Sequence, residues 1–90
     1  MSLELLIKLE KEEFNSRISI LRGRESVLLK KVETNRLILA EQKKLLTLGA
    51  FQKLNFLQQQ DNLFELENEL KGMRLEIIRN TLATEKSINQ

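Results

Sequence analysis

The stretch Leu45-Leu46-Thr47-Leu48-Gly49-Ala50-Phe51-Gln52 decides the fold, because two heptad patterns of apolar residues meet within it out of phase. Continuing the pattern that precedes the stretch puts Gly49 at a d position, whereas the pattern that follows puts it at an a position. Glycine is the residue that most readily takes the left-handed conformation that ends a helix. The phase change therefore predicts a turn at about 48–50, with Gly49 as its turn residue.

Helical spacing continues on both sides of this turn, and no proline interrupts it. We predict a single helical unit over 1–90, with one helix at 3–47 and another at 51–87. A capping-box pattern that begins at Asn62 leaves open a kink at 60–62. Ser2 is the predicted N-cap of the first helix. The predicted helix–helix interface consists of the a and d residues Ile7, Phe14, Ile18, Leu21, Leu28, Val32, Leu39, Leu46, Phe56, Leu63, Leu66, Leu70, Met73 and Ile77.

The charge distribution favours a reversal of the chain at Gly49. Residues 17–36 are predominantly basic, whereas 61–69 carry four acidic residues and no basic one. A hairpin brings the two blocks together, with residue i across from about 98 − i, whereas a parallel dimer sets each block against itself. Exposed ion pairs are individually weak, but they select orientation. The predicted charge contacts are Lys30 and Lys31 with Glu67 and Glu69, and Arg36 with Asp61 and Glu65.

The sequence thus predicts an all-α fold, an antiparallel helical hairpin or coiled coil that assembles into a helix bundle. The alternative is one continuous helix in a parallel coiled-coil dimer, where Gly49 marks only a local change of heptad phase.

Four interface positions are polar, and such residues specify register and partner choice in coiled coils. They are Lys11, Glu25, Asn35 and Gln42. In the predicted hairpin Asn35 lies near Asn62, so the two amides are candidates for a hydrogen bond across the interface. The alternative is that these polar side chains face solvent because the interface drifts around the helix.

The composition argues against an enzyme. The chain has no Cys and no His, which removes thiolate nucleophiles, the usual zinc ligands and Ser–His pairs. Its three glycines stand singly, so no phosphate-binding loop is present. We therefore predict no catalytic residues, no cofactor and no metal site.

Other classes of partner are disfavoured as well. The net charge is only +2, and apolar residues interrupt the basic block 17–36, which argues against direct nucleic-acid binding. The longest apolar run, Leu37-Ile38-Leu39-Ala40, is far shorter than the roughly 20 residues that span a bilayer. We expect a soluble protein of the cytoplasm that does not engage a membrane.

Apolar residues outside the predicted interface indicate association with further helices. A hairpin alone leaves them as an exposed patch larger than a monomer usually carries. We expect a structural or interaction protein, a coiled-coil oligomerisation or scaffold element that binds itself or a helical partner. The alternative is a small helical chaperone or adaptor that binds another protein through this patch. The predicted patch consists of Leu5, Leu6, Leu29, Leu37, Ile38, Leu45, Leu57 and Ile78.

Overall fold

A computed structural model describes residues 2–89, which form two helices packed side by side. Helix α1 spans Leu3–Thr47 and helix α2 spans Lys53–Asn89. The molecule measures 70 × 17 × 12 Å. A continuous helix of all 90 residues would extend roughly 135 Å at 1.5 Å per residue. The predicted all-α antiparallel hairpin is confirmed, and the continuous-helix alternative does not hold.

The first helix begins at a side-chain cap. The Leu5 backbone N–H donates a hydrogen bond to Ser2 Oγ at 3.1 Å, which satisfies one of the amides that the first turn leaves unpaired. Glu4 lies in that same turn, where the helix dipole favours negative charge. The predicted N-cap at Ser2 is confirmed.

Helix α1 ends in a Schellman motif centred on Gly49, whose φ is +74°. The Gly49 N–H donates to the Leu46 carbonyl at 3.0 Å, and the Ala50 N–H donates to the Leu45 carbonyl at 2.8 Å. These two bonds satisfy carbonyls that the end of a helix otherwise leaves free. The positive φ explains why glycine occupies this position, since a Cβ disfavours the left-handed region.

The second helix begins at Lys53, two residues later than the predicted start at 51. Residues 50–52 leave the turn in a non-helical path, and Phe51 is half-buried there. Ala50 and Phe51 have no side-chain oxygen that could cap a helix starting at 51 or 52. From Lys53 the helix runs without interruption to Asn89, so residues 60–62 lie inside it.

The longer turn moves the register of the hairpin. The midpoint between the helix ends lies at residue 50 instead of 49, so residue i lies across from about 100 − i. The ion pair in which Arg36 Nε lies 3.5 Å from Glu67 Oε1 agrees with this shift. A second pair, with Arg74 Nε 3.2 Å from Glu25 Oε2, fits both registers equally.

Two glycine substitutions are expected to change stability in opposite directions. Gly49→Ala forces a Cβ into the left-handed region and should lower the free energy of unfolding by about 1–2 kcal/mol. Gly23→Ala is the matched control: it lies within α1, no neighbouring atom stands within 4 Å of the position that a Cβ would take, and alanine should stabilise by about 0.5–1 kcal/mol. Thermal unfolding followed by circular dichroism measures both. A Gly49→Ala melt at or above that of the unmodified protein would contradict the turn.

Candidate functional site: a helix–helix interface and exposed apolar faces

The interface between the helices has its fully buried centre at Val32, with an exposed fraction of 0%. Leu63 and Leu70 on α2 form the core cluster with it, and Leu28, Leu29, Leu39 and Leu66 pack around them. Each residue of the fourteen-member predicted interface is buried or half-buried in the structure. Leu29, predicted to belong to the exposed patch, instead packs against this core.

Near the N-terminus of α1, far from the turn, the interface departs from a strict heptad repeat. Glu10 is half-buried and Lys11 is exposed, so the contact has moved one position around α1 from the predicted one. A straight helix drifts about 20° per heptad against an ideal 3.5-residue repeat, and about three heptads separate this point from the core. On α2 the contact continues beyond Ile77 through Thr81, Thr84 and Ile88, which the predicted interface did not include.

The polar interface residues are placed differently from the expectation. Asn35 Nδ2 donates to the Lys31 carbonyl on its own helix at 2.7 Å, and Asn62 is exposed. The predicted Asn35–Asn62 hydrogen bond is therefore not formed, because the shifted register sets Asn35 across from about residue 65. Gln42 is half-buried, and its Oε1 has no hydrogen-bond partner among the described residues.

The basic and acidic blocks meet through one ion pair, Arg36–Glu67. The predicted partners of Arg36 were Asp61 and Glu65, and the shifted register moves the contact toward the C-terminus of α2. Lys30 and Lys31 are exposed, as is Glu69. Within the described part of the chain neither lysine takes part in an ion pair.

Much apolar surface remains outside this interface. Among residues 2–89, sixteen large apolar residues are exposed and five are buried. Ten of the exposed ones belong to α1 and its cap, and several of these, such as Ile20 and Val27, lie beside the hairpin interface. Ile20 and Val27 border a shallow groove of about 480 Å³ that Gly23, Leu28 and Met73 also line.

The other six exposed residues share one face of α2, which we call the outer stripe. Their exposed fractions range from 43% to 65%. In heptad terms they occupy the b and f positions, whereas the a and d positions of α2 contact α1. At 100° per residue, the outer stripe points about 150° away from α1. The outer stripe consists of Leu54, Leu57, Phe64, Leu75, Ile78 and Leu82.

No arrangement of titratable groups suggests a reaction centre in the part of the chain that the structure describes. No three of its Asp and Glu side chains lie close enough together to hold a metal ion. Neither α1 nor α2, over the residues described, is long and apolar enough to cross a membrane. The candidate binding feature is therefore the exposed apolar surface, which can bind apolar surface of another protein.

Comparison with known proteins gives no relative from which a role can be transferred. No protein-family model matches the chain, and no curated protein or solved structure matches it significantly. The hairpin and its exposed faces are therefore the basis for the functional proposal.

Proposed function

We propose that this protein is a non-enzymatic structural or interaction protein, a coiled-coil oligomerisation or scaffold element. The observation that carries the proposal is the excess of exposed over buried large apolar residues. Isolated exposed leucines are ordinary, but contiguous apolar faces usually mark contact surfaces. The absence of His and Cys from the sequence leaves little chemistry for a catalytic role. A location in the cytoplasm belongs to the same proposal.

The exposed area supports assembly. A folded monomer of 10.6 kDa exposes about 5,500 Å² on average. This chain exposes 7098 Å². The excess, roughly 1,600 Å², is about twice the ~800 Å² that each partner contributes to a standard protein interface. Association with further helices would bury it as the hairpin interface buries its own residues.

The groove beside Gly23 favours a second candidate, a small helical chaperone or adaptor. Ile20 and Val27 offer aliphatic side chains there, and Met73 adds a flexible one of the kind that suits binding surfaces with several partners. Arg24 and Lys31 line the same groove and would suit an acidic amphipathic segment of a client protein.

The molecular mass in solution tests the proposal. We expect purified protein at tens of micromolar to sediment as a defined oligomer and to unfold cooperatively, because assembly buries the exposed apolar faces. Sedimentation equilibrium over a concentration series measures the mass. A monomer across this range would refute the scaffold function. A monomer that binds a hydrophobic dye and loses that binding on adding an amphipathic acidic peptide would favour the chaperone.

A further inference from the structure

The outer stripe of α2 is part of a second complete heptad pattern. Its apolar members and the polar residues between them follow each other at alternating intervals of three and four, from Leu54 to Glu85. This spacing is that of a coiled-coil contact. The interface with α1 does not use it, since the pattern lies on the opposite side of the helix and its members are exposed. The full pattern reads Leu54, Leu57, Asp61, Phe64, Asn68, Lys71, Leu75, Ile78, Leu82 and Glu85.

We propose that a second copy of this chain covers the outer stripe, with its α2 antiparallel to the first and Asp61 of each copy beside Lys71 of the other. The inference rests on the proposed function and deepens it by naming the partner, the face and the register. The resulting assembly is a row of four helices in which the two α2 helices are central and the two α1 helices lie outside.

The register follows from matching layers. In an antiparallel coiled coil an a position of one helix meets a d position of the other, which allows registers that differ by one heptad. When residue i faces residue 132 − i, Leu54 meets Ile78, Leu57 meets Leu75 and Asp61 meets Lys71. Phe64 and Asn68 then form the two central layers. Each central layer sets Phe64 of one copy against Asn68 of the other. The outer layers pair apolar residues, and the opposite charges of Asp61 and Lys71 neutralise each other on both sides of the centre.

Neighbouring registers match poorly. A shift of one heptad toward the C-terminus sets Leu54 against Glu85 and Asp61 against Ile78, and the opposite shift sets Leu54 against Lys71. Each places a charge in an apolar layer without a partner, which is costly when the layer is desolvated. A parallel, in-register pair sets Asp61 against Asp61 and Lys71 against Lys71. The antiparallel arrangement alone pairs both charges.

Neither charged residue is engaged within the hairpin. Asp61 and Lys71 are both exposed, and neither belongs to an ion pair among residues 2–89. The excess exposed area of each chain, roughly 1,600 Å², also exceeds the ~800 Å² that each partner contributes to a standard interface. The outer stripe therefore has the spacing, the free charges and the area that a contact with a second copy needs.

Charge reversal tests the register. Asp61→Lys sets the introduced lysine against Lys71 of the second copy, and Lys71→Asp sets two aspartates together. We expect each variant to weaken self-association about 10- to 100-fold in sedimentation equilibrium, in the range of direct coupling between neighbouring charges. The double variant Asp61→Lys/Lys71→Asp restores opposite charges and should return to within about threefold of the unmodified protein. Glu12→Lys, an exposed reversal on α1, serves as control and should leave association unchanged.

Because each of these sites is exposed, the hairpin itself should fold in every variant. Single variants that associate like the unmodified protein would overturn the register. So would a double variant that fails to recover, since a parallel pair gains nothing from the exchange.

Cysteine cross-linking tests the same contact by an independent readout, and the cysteine-free chain allows it without background. We prepare Leu57→Cys and Leu75→Cys as separate proteins and oxidise them alone and mixed. In the proposed register only the mixture brings two thiols within disulfide distance. Cross-linked dimer in the mixture alone supports the proposal. Cross-linking of Leu57→Cys with itself overturns it in favour of a parallel pair.

The experiments distinguish a failure of the scaffold function from a failure of the proposed contact through the outer stripe. If the protein sediments as an oligomer but the mixture does not cross-link, the assigned face is wrong and the scaffold function stands. If the protein sediments as a monomer at all concentrations, both are overturned.

Discussion

Replacing Val32 with aspartate is expected to unfold the hairpin. Val32 is the one described side chain with no exposed surface, and it lies at the centre of the cluster with Leu63 and Leu70. A carboxylate there loses its hydration, and this desolvation costs several kcal/mol even after local relaxation. Total stabilities of small domains are about 5–15 kcal/mol, and a hairpin with five buried apolar residues belongs at the lower end.

The control for this substitution is Val27→Asp on the same helix. Val27 is 54% exposed, so its carboxylate stays hydrated and the hairpin should remain folded. Circular dichroism at 222 nm during heating distinguishes the two: loss of most helical signal at 25 °C for Val32→Asp, and a melt near that of the unmodified protein for Val27→Asp. Equal behaviour of the two variants would show that the core does not lie where the structure places it.

The second large effect is expected on self-association, from the double substitution Leu57→Gln/Leu75→Gln in the outer stripe. Glutamine keeps the helix propensity of leucine but removes its apolar surface. Full burial of an exposed leucine stabilises by about 1.5–3 kcal/mol. Leu57 and Leu75 are only 46% and 43% exposed, so each contributes about half of that, and a symmetric dimer loses four such contributions. The dissociation constant should therefore rise about 100- to 10,000-fold, since each 1.4 kcal/mol is a factor of ten.

A matched double substitution on α1 separates this effect from a general loss of apolar surface. Leu9 and Leu37 are exposed at 42% and 71%, and lie on the side of α1 turned away from α2. Leu9→Gln/Leu37→Gln removes the same atoms and should change the dissociation constant by less than about tenfold. Sedimentation equilibrium measures both variants. The reverse ranking would place the contact between copies on α1.

Much of the hairpin could be predicted from the sequence, because the apolar residues of both helices follow a heptad repeat. The change of heptad phase at Gly49 indicated the turn, and the interval pattern indicated which residues face inward. The register was harder to predict, because it depends on how many residues the turn uses. A start of α2 at Lys53 instead of residue 51 moved each cross-helix partner by two positions. Heptad spacing alone contains no information on that number.

The outer stripe was harder to recognise for a different reason, and only Leu57 and Ile78 of its six apolar members belong to the predicted exposed patch. Asp61, Asn68 and Lys71 interrupt it, and its remaining members overlap in sequence with the interface pattern of α2. Two apolar patterns on one helix cannot be assigned to separate neighbours until one neighbour is placed. The position of α1 against Leu63 and Leu70 resolves the ambiguity, and the second pattern then becomes recognisable by its exposure.

The Schellman turn also sets the order in which the two arms come together. The first contacts between the arms form beside it across a loop of about ten residues, which closes in roughly 10–100 ns. Contacts farther along each arm then form in sequence, each adding little to the entropy of closing the chain, so such a hairpin belongs to the fast-folding, locally connected topologies. The end of the hairpin farthest from the turn joins last and separates first. Helical amide protons at the ends far from the turn should therefore exchange with solvent much faster than helical amide protons beside the turn.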